Sequence, residues 1–138
     1  MKKMFRILIV SIAIITIATN CRRGKNCHLD YYINNNSNNA IYFNFSSQYP
    51  DTIIPSPNPI SGGTFKVEKQ TKKHESFRDC VEEIFLQNSS KIAIFFIFDA
   101  NTLETTPWDT VRAKYLILKR YEITLENFRN NNFTITYP

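Results

Sequence analysis

Glycine is scarce in this chain, with three residues in 138. That excludes the loops that cradle phosphates and the dinucleotide fingerprint, because both need several residues without a Cβ at fixed spacing. Histidine is scarcer, with only His28 and His74 present. A metal centre or a nucleophile paired with an imidazole base therefore has little to draw on. His28 lies beside Cys27 and Asp30, but the grouping lacks the ligand spacings of structural zinc and reads as the end of a tether carrying a disulfide. His74, among Lys72, Lys73 and Glu75, reads as part of a solvated turn. Glu82 and Glu83 are adjacent, and on a helix adjacent side chains point about 100° apart, so they cannot flank one glycosidic bond and read as surface residues. No cofactor or metal is expected, and no catalytic constellation can be assembled from the sequence.

Excess charge is also missing once the chain is divided. The formal charge is +5, but three of the 17 basic residues lie in the first six positions and Arg22, Arg23 and Lys25 follow shortly after. From Asn26 onward 11 basic residues face 12 acidic ones. A nucleic-acid partner would need a basic face, and this part of the chain has a net charge of −1.

What is present at the start is a leader. Lys2, Lys3 and Arg6 precede an apolar run from Ile7 to Ala18 interrupted only by Ser11 and Thr16. Twelve residues rise only about 18 Å as a helix against a hydrocarbon core of about 30 Å, so the pattern is that of a secretory signal rather than a span. The segment ends Ile17, Ala18, Thr19, Asn20, Cys21, which resembles the lipobox of bacterial lipoproteins. The resemblance implies removal of residues 1–20 and lipid modification of Cys21. It departs from the usual pattern at Asn20, where Gly, Ala or Ser is customary. Cleavage near Ala18, with a soluble periplasmic product, is the alternative. An exported protein with three cysteines has one odd thiol, and assigning Cys21 to the lipid leaves Cys27 and Cys80 to pair. That bridge would close a loop of about 54 residues and contribute roughly 4 kcal/mol by chain entropy.

The division expected is therefore a signal peptide over 1–20, a lipid-anchored tether over 21–27 and one β-rich domain over 28–138. A mature chain of 118 residues suffices for one core and is short for two. Tyr31 to Ile33 reads as a strand turning at Asn34 to Asn39 into a second strand, in which Ile41, Phe43 and Phe45 alternate with Tyr42 and Asn44, together a hairpin. Tyr49 to Gly63 holds Pro50, Pro55, Pro57 and Pro59 and reads as a loop crossing between sheets. Thr64 to Glu68 is a further strand, and Lys69 to Glu75 a polar turn. Ser76 caps an expected helix over 77–86 that buries Phe77, Cys80, Val81, Ile84 and Phe85.

Lys91 to Asp99 carries seven consecutive apolar residues and reads as a central strand covered on both faces. Thr106, Pro107 and Asp109 signal a helix over 107–114 with Trp108, Val111 and Tyr115 on one side. Tyr115 to Ile123 is the next strand, Thr124 caps a turn of helix over 125–130, and Phe133, Ile135 and Tyr137 alternate in the last strand. The fold class expected is mainly β: a single two-sheet β-sandwich of six or seven strands with short helical insertions. An α+β single sheet with helices on one face is the alternative.

The strings FIFDA, TPWDTV (106–111), LKRYEITLENF (118–128) and FTITYP (133–138), with YYINN and YPDT upstream, resemble small lipoproteins of gut Bacteroides-type bacteria. The likeness covers chiefly the final 45 or so residues and implies a location but no mechanism. It also implies O-glycan attachment at Asp-Thr followed by an apolar residue, a pattern met at Asp51, Thr52, Ile53 and at Asp109, Thr110, Val111. Aromatic residues make up 14% of the chain. Such side chains stack on sugars or partners as well as filling cores, and Tyr49 and Trp108 are the candidate ligand contacts, with an inward-packed Trp108 as the plainer reading.

The function expected is a lipid-anchored cell-envelope protein, a non-catalytic binding or structural module on the periplasmic side or at the outer membrane. Its partners would be the membrane, through the anchor, and an envelope protein or glycan, with no nucleic acid. The alternative is an envelope hydrolase acting on glycan or peptide, which would require folding to bring distant Asp, Glu or His residues into one cleft.

Overall fold

The computed structural model describes residues 26–50, 53–55, 58–62 and 65–138. The expected leader, the expected lipidation site Cys21, the basic stretch through Lys25, and Asp51 and Thr52 lie outside the described residues. Seven described strands form two sheets. The first sheet has the order β4 (Thr71–Ser76), β1 (Asp30–Asn35), β7 (Thr134–Tyr137), with β1 antiparallel to β4 and parallel to β7. The second has the order β3 (Lys66–Val67), β2 (Ile41–Ser46), β5 (Ile92–Asp99), β6 (Lys119–Thr124), all antiparallel. The single-sheet alternative is excluded. The described residues are mostly β, with four short α-helices among them: α1 (Val81–Gln87), α2 (Ala100–Thr105), α3 (Trp108–Ala113) and α4 (Leu125–Asn130).

The run IAIFFIFD is the centre of the molecule, because β5 alternates between two apolar clusters. Ala93, Phe95 and Ile97 join Tyr31, Ile33 and Ile135 of the first sheet with Phe43, Val81, Phe85 and Phe128. Ile94, Phe96 and Phe98 point the other way, into a cluster with Tyr42, Ile54, Leu103 and Val111, covered by α2, α3 and the proline-rich loop. Burying both faces explains the unbroken apolar run, since alternation is needed only where one face meets water. It also corrects the reading of β2: Tyr42 is 6% exposed, packed on the second cluster rather than facing solvent.

The expected hairpin of β1 and β2 is not formed, and the two consecutive strands belong to different sheets. The segment NNNSNN arches between the sheets instead, held by the fully buried Asn35. Its amide donates to the carbonyls of Asn39 at 2.8 Å, Val67 at 3.3 Å and Glu68 at 3.1 Å. Its Oδ1 accepts from the backbone N–H and hydroxyl of Ser37. One side chain thus joins β1, the arch and β3, which a solvent-facing hairpin turn would not require.

Three further expectations are corrected. Thr71 to Ser76 is an edge strand rather than a turn and cap, because its Lys, Thr and Ser residues need only one face against the protein. Ser76 donates to Asp30, and the helix begins at Val81 after Cys80, with no side-chain cap. Phe77 lies outside it, stacked 4.3 Å from Tyr31. Helix α2 was not legible: Asp99 ends β5 and accepts from the backbone N–H of Thr102 at 2.8 Å, starting a helix directly from the strand. The strand expected from Tyr115 starts only at Lys119, because Tyr115 has φ 52° and turns the chain after α3, a conformation that bulky residues seldom take.

Helices α1 and α4 lie at one end of the sheets. Helix α1 runs from the end of β4 to the start of β5, and the side-chain amide of Asn88 just beyond it donates to the Ser47 carbonyl past the end of β2. Helix α4 connects the end of β6 with β7. Phe85 and Phe128 meet beneath the core, ring centroids 6.2 Å apart, so the two helices form a floor.

Candidate binding surfaces

At the start of the described residues, Cys27 is bonded to Cys80, with Cα atoms 5.0 Å apart. His28 follows. Its Nδ1 lies 2.7 Å from Oε1 of Glu82, its backbone N–H donates to Oε2 at 3.0 Å, and its ring stacks 4.5 Å from Phe133. Arg129 of α4 donates to the same carboxylate at 3.1 Å. Glu82 is therefore not a surface residue but 9% exposed. Burial pushes its pKa up, but bonds from the His28 backbone and ring and from Arg129 outweigh it and bring the carboxyl down to about 2. Asp30, which the sequence sets beside His28, turns instead to His74. Among the described residues no group of three potential ligands could hold a metal ion.

The outer face of the first sheet carries a row of polar side chains. His74 Nε2 lies 2.9 Å from Oδ1 of Asp30, and the Ser76 hydroxyl donates to the same oxygen at 2.9 Å. These bonds lower the Asp30 pKa, His74 first and Ser76 second. The residue types are those of a hydrolase triad, but the arrangement is not. Serine and histidine both bond the carboxylate, whereas nucleophilic activation needs the hydroxyl to donate to the imidazole. Lys72 lies over the Tyr32 ring at 4.2 Å and completes a flat, solvated face.

Two concave places among the described residues stand out. A groove of about 610 Å³ runs beside the open edges of β6 and β7, lined by Lys72, Tyr121, Asn127, Asn131, Thr134 and Thr136 among others. At the end opposite the floor, a cleft of about 590 Å³ is lined by Asn38, Asn39, Lys66, Asp99, Asn101 and Glu104. Both volumes are in the range of about 300–1,000 Å³ typical of small-ligand sites.

The cleft is built by three elements. The arch brings Asn38 and Asn39, β3 brings Lys66, and α2 springs from β5 with Asn101 and Glu104, anchored where Ala100 N–H donates to the Ala40 carbonyl. Lys66 Nζ lies 2.9 Å from Glu104 Oε1, and the Tyr42 hydroxyl donates to that oxygen at 3.0 Å. Lys66 first and Tyr42 second hold the Glu104 pKa below the usual carboxylate range. The cleft thus gathers two carboxylates, but a glycosidase acid needs its pKa raised. Glu104 moves the opposite way, and Asp99 is engaged by both the N–H and the hydroxyl of Thr102. What the cleft offers is a charged pair rimmed by three amides, suited to hydrogen bonding a polar ligand.

Neither sequence-predicted aromatic lines the groove or the cleft. Trp108 is half-buried against the second cluster, edge to face with Phe98 at 5.8 Å, and Tyr49 packs on the same cluster. Of the two Asp-Thr-apolar tripeptides, Thr110 is half-buried in α3 and Val111 fully buried. Asp51 and Thr52 are outside the described residues. The cleft escaped sequence reading because its contributors are separated by as many as 66 positions and none belongs to a motif. No helix among the described residues is long and apolar enough to cross a membrane. No protein-family model, no curated protein and no solved structure matches the chain.

Proposed function

We propose that this is an exported protein, processed ahead of Cys21 and anchored in the cell envelope by a lipid on that residue. Its two sheets form a sandwich-like domain that acts as a non-catalytic module, binding an envelope glycan or peptide through the cleft around Lys66 and Glu104. The observation that carries the reading is the pairing of thiols: Cys27 is bonded to Cys80, so Cys21 is the one cysteine outside the bridge. Disulfides persist in oxidising compartments, and a leader with the odd cysteine at its end accounts for both the compartment and the leftover thiol. The resemblance to small lipoproteins of Bacteroides-type bacteria points the same way. A non-catalytic role is supported by the lowered pKa of Glu104 and by the Ser76 hydroxyl donating to Asp30. Mass spectrometry of the membrane fraction tests the anchor: the expected species begins at acylated Cys21, and Cys21→Ala abolishes acylation and cleavage ahead of that position. Unchanged processing and membrane retention of that variant refute the reading.

A further inference from the structure

The anchor and the fold together determine which end of the domain meets the membrane. Cys27 is locked to Cys80 immediately before α1, so the chain enters the domain at the α1–α4 floor. Resting on the lipid anchor proposed above, only five residues separate Cys21 from Cys27. Six Cα steps at about 3.3–3.6 Å each reach at most about 22 Å. That is close to the length of one strand here, since the six residues of β1 extend about 20 Å. The opposite end therefore cannot swing round to the bilayer without leaving the floor unsupported, and the bridge removes any slack that melting of residues 28–30 would supply.

Strand directions specify the two ends. Asp30 of β1, Ser76 of β4 and Thr134 of β7 lie beside the floor, while Asn35, Thr71 and Tyr137 lie at the far end. In the second sheet Ile41 and Asp99 are partners at the far end, where the arch, α2 and the cleft converge. The outward side of α1 carries Glu83, Leu86 and Gln87, opposite the buried Val81 and Phe85, and Leu86 is 67% exposed. An exposed leucine on a short helix is compatible with the interfacial region of a bilayer. The acidic Glu83 and Glu126 on the floor argue against tight electrostatic adsorption, so tether length and not surface affinity would set the orientation.

We propose that the α1–α4 floor faces the membrane surface, strapped there by the five residues between Cys21 and Cys27, so that the cleft of Asn38, Asn39, Lys66, Asn101 and Glu104 is presented away from it. The partner of the floor is a lipid surface, and the ligand of the cleft approaches from the far side.

The test uses the full chain, purified from membranes with its lipid and reconstituted in phosphatidylcholine–phosphatidylglycerol vesicles. Leu86→Cys and Asn101→Cys are each labelled with a fluorophore, and headgroup-level nitroxide lipid is added. The Leu86 label is expected to be quenched several-fold more than the Asn101 label. Inserting a long Gly-Ser spacer after Arg23 is expected to bring the two values together. Equal quenching in a vesicle-bound protein overturns the orientation while leaving the anchor intact, and unchanged quenching with the long spacer overturns the strap as its cause. A chain that fails to partition into vesicles overturns the anchor, and the orientation with it.

Discussion

The His28 ring nitrogen Nδ1 and the Glu82 carboxylate lie 2.7 Å apart across 54 positions of sequence, and Arg129 closes on the same oxygen at 3.1 Å. The folded-state pKa of Glu82, about 2, is below its ordinary value of 4.5. A depressed carboxyl contributes stability that is present above the unfolded pKa and lost as pH falls towards the folded one. Unfolding free energy should therefore fall between about pH 5 and pH 2 by up to roughly 3 kcal/mol from this group. Glu82→Gln is expected to flatten that part of the curve, measured by urea denaturation across the acid range. An unchanged acid limb refutes the assignment.

The arch depends on Asn35 as the floor depends on Glu82. Removing its amide leaves the carbonyls of Asn39, Val67 and Glu68 without their donor, that of the buried Val67 cut off from water. Asn35→Ala should lower stability by about 3 kcal/mol. Asn35→Asp should do worse, because it directs a carboxylate at three carbonyls. Urea midpoints of the two variants, in that order, check it.

The Cys27–Cys80 bridge spans 53 positions and joins a segment held besides by the His28 contacts with Glu82 and Val81 and by the Phe77 N–H donating to the Leu29 carbonyl. Replacing both cysteines by serine is expected to cost roughly 4 kcal/mol on the chain-entropy account. A reductant should produce the same shift in the parent and none in the double variant.

Trp108 and the cleft separate packing from binding. The indole N–H of Trp108 is buried with no acceptor among the described residues. Trp108→Phe should thus change stability by less than about 1 kcal/mol and leave ligand affinity unchanged. Lys66→Ala or Asn101→Ala should leave the fold intact and abolish retention of the glycan or peptide identified by array screening. Binding loss in Trp108→Phe with retention in the cleft variants would reverse the assignment.

Alternation and apolar runs made much of the sheet content legible. The apolar run of β5 declared a strand covered on both faces, and Phe133, Ile135 and Tyr137 marked the short final one. Thr71–Ser76 was not legible because an edge strand of Lys, Thr and Ser carries the composition of a loop, and only its pairing with β1 distinguishes the two. Helix α2 was hidden because Asp99 has two roles, last strand residue and helix cap, and only geometry discloses the second.

By itself the sequence determined the basic and apolar character of its first 18 residues, the near-neutral charge of the rest, the odd number of thiols and the position of the central strand, because these depend on local composition and period. Tertiary structure alone decided that β1 and β2 part into separate sheets, that Glu82 is buried beneath His28, and that Lys66, Asp99 and Glu104 share a cleft. Those outcomes depend on side chains meeting across tens of residues, where hydrogen bonding and burial on the partner surface determine each residue's role and local propensity carries no information about the partner.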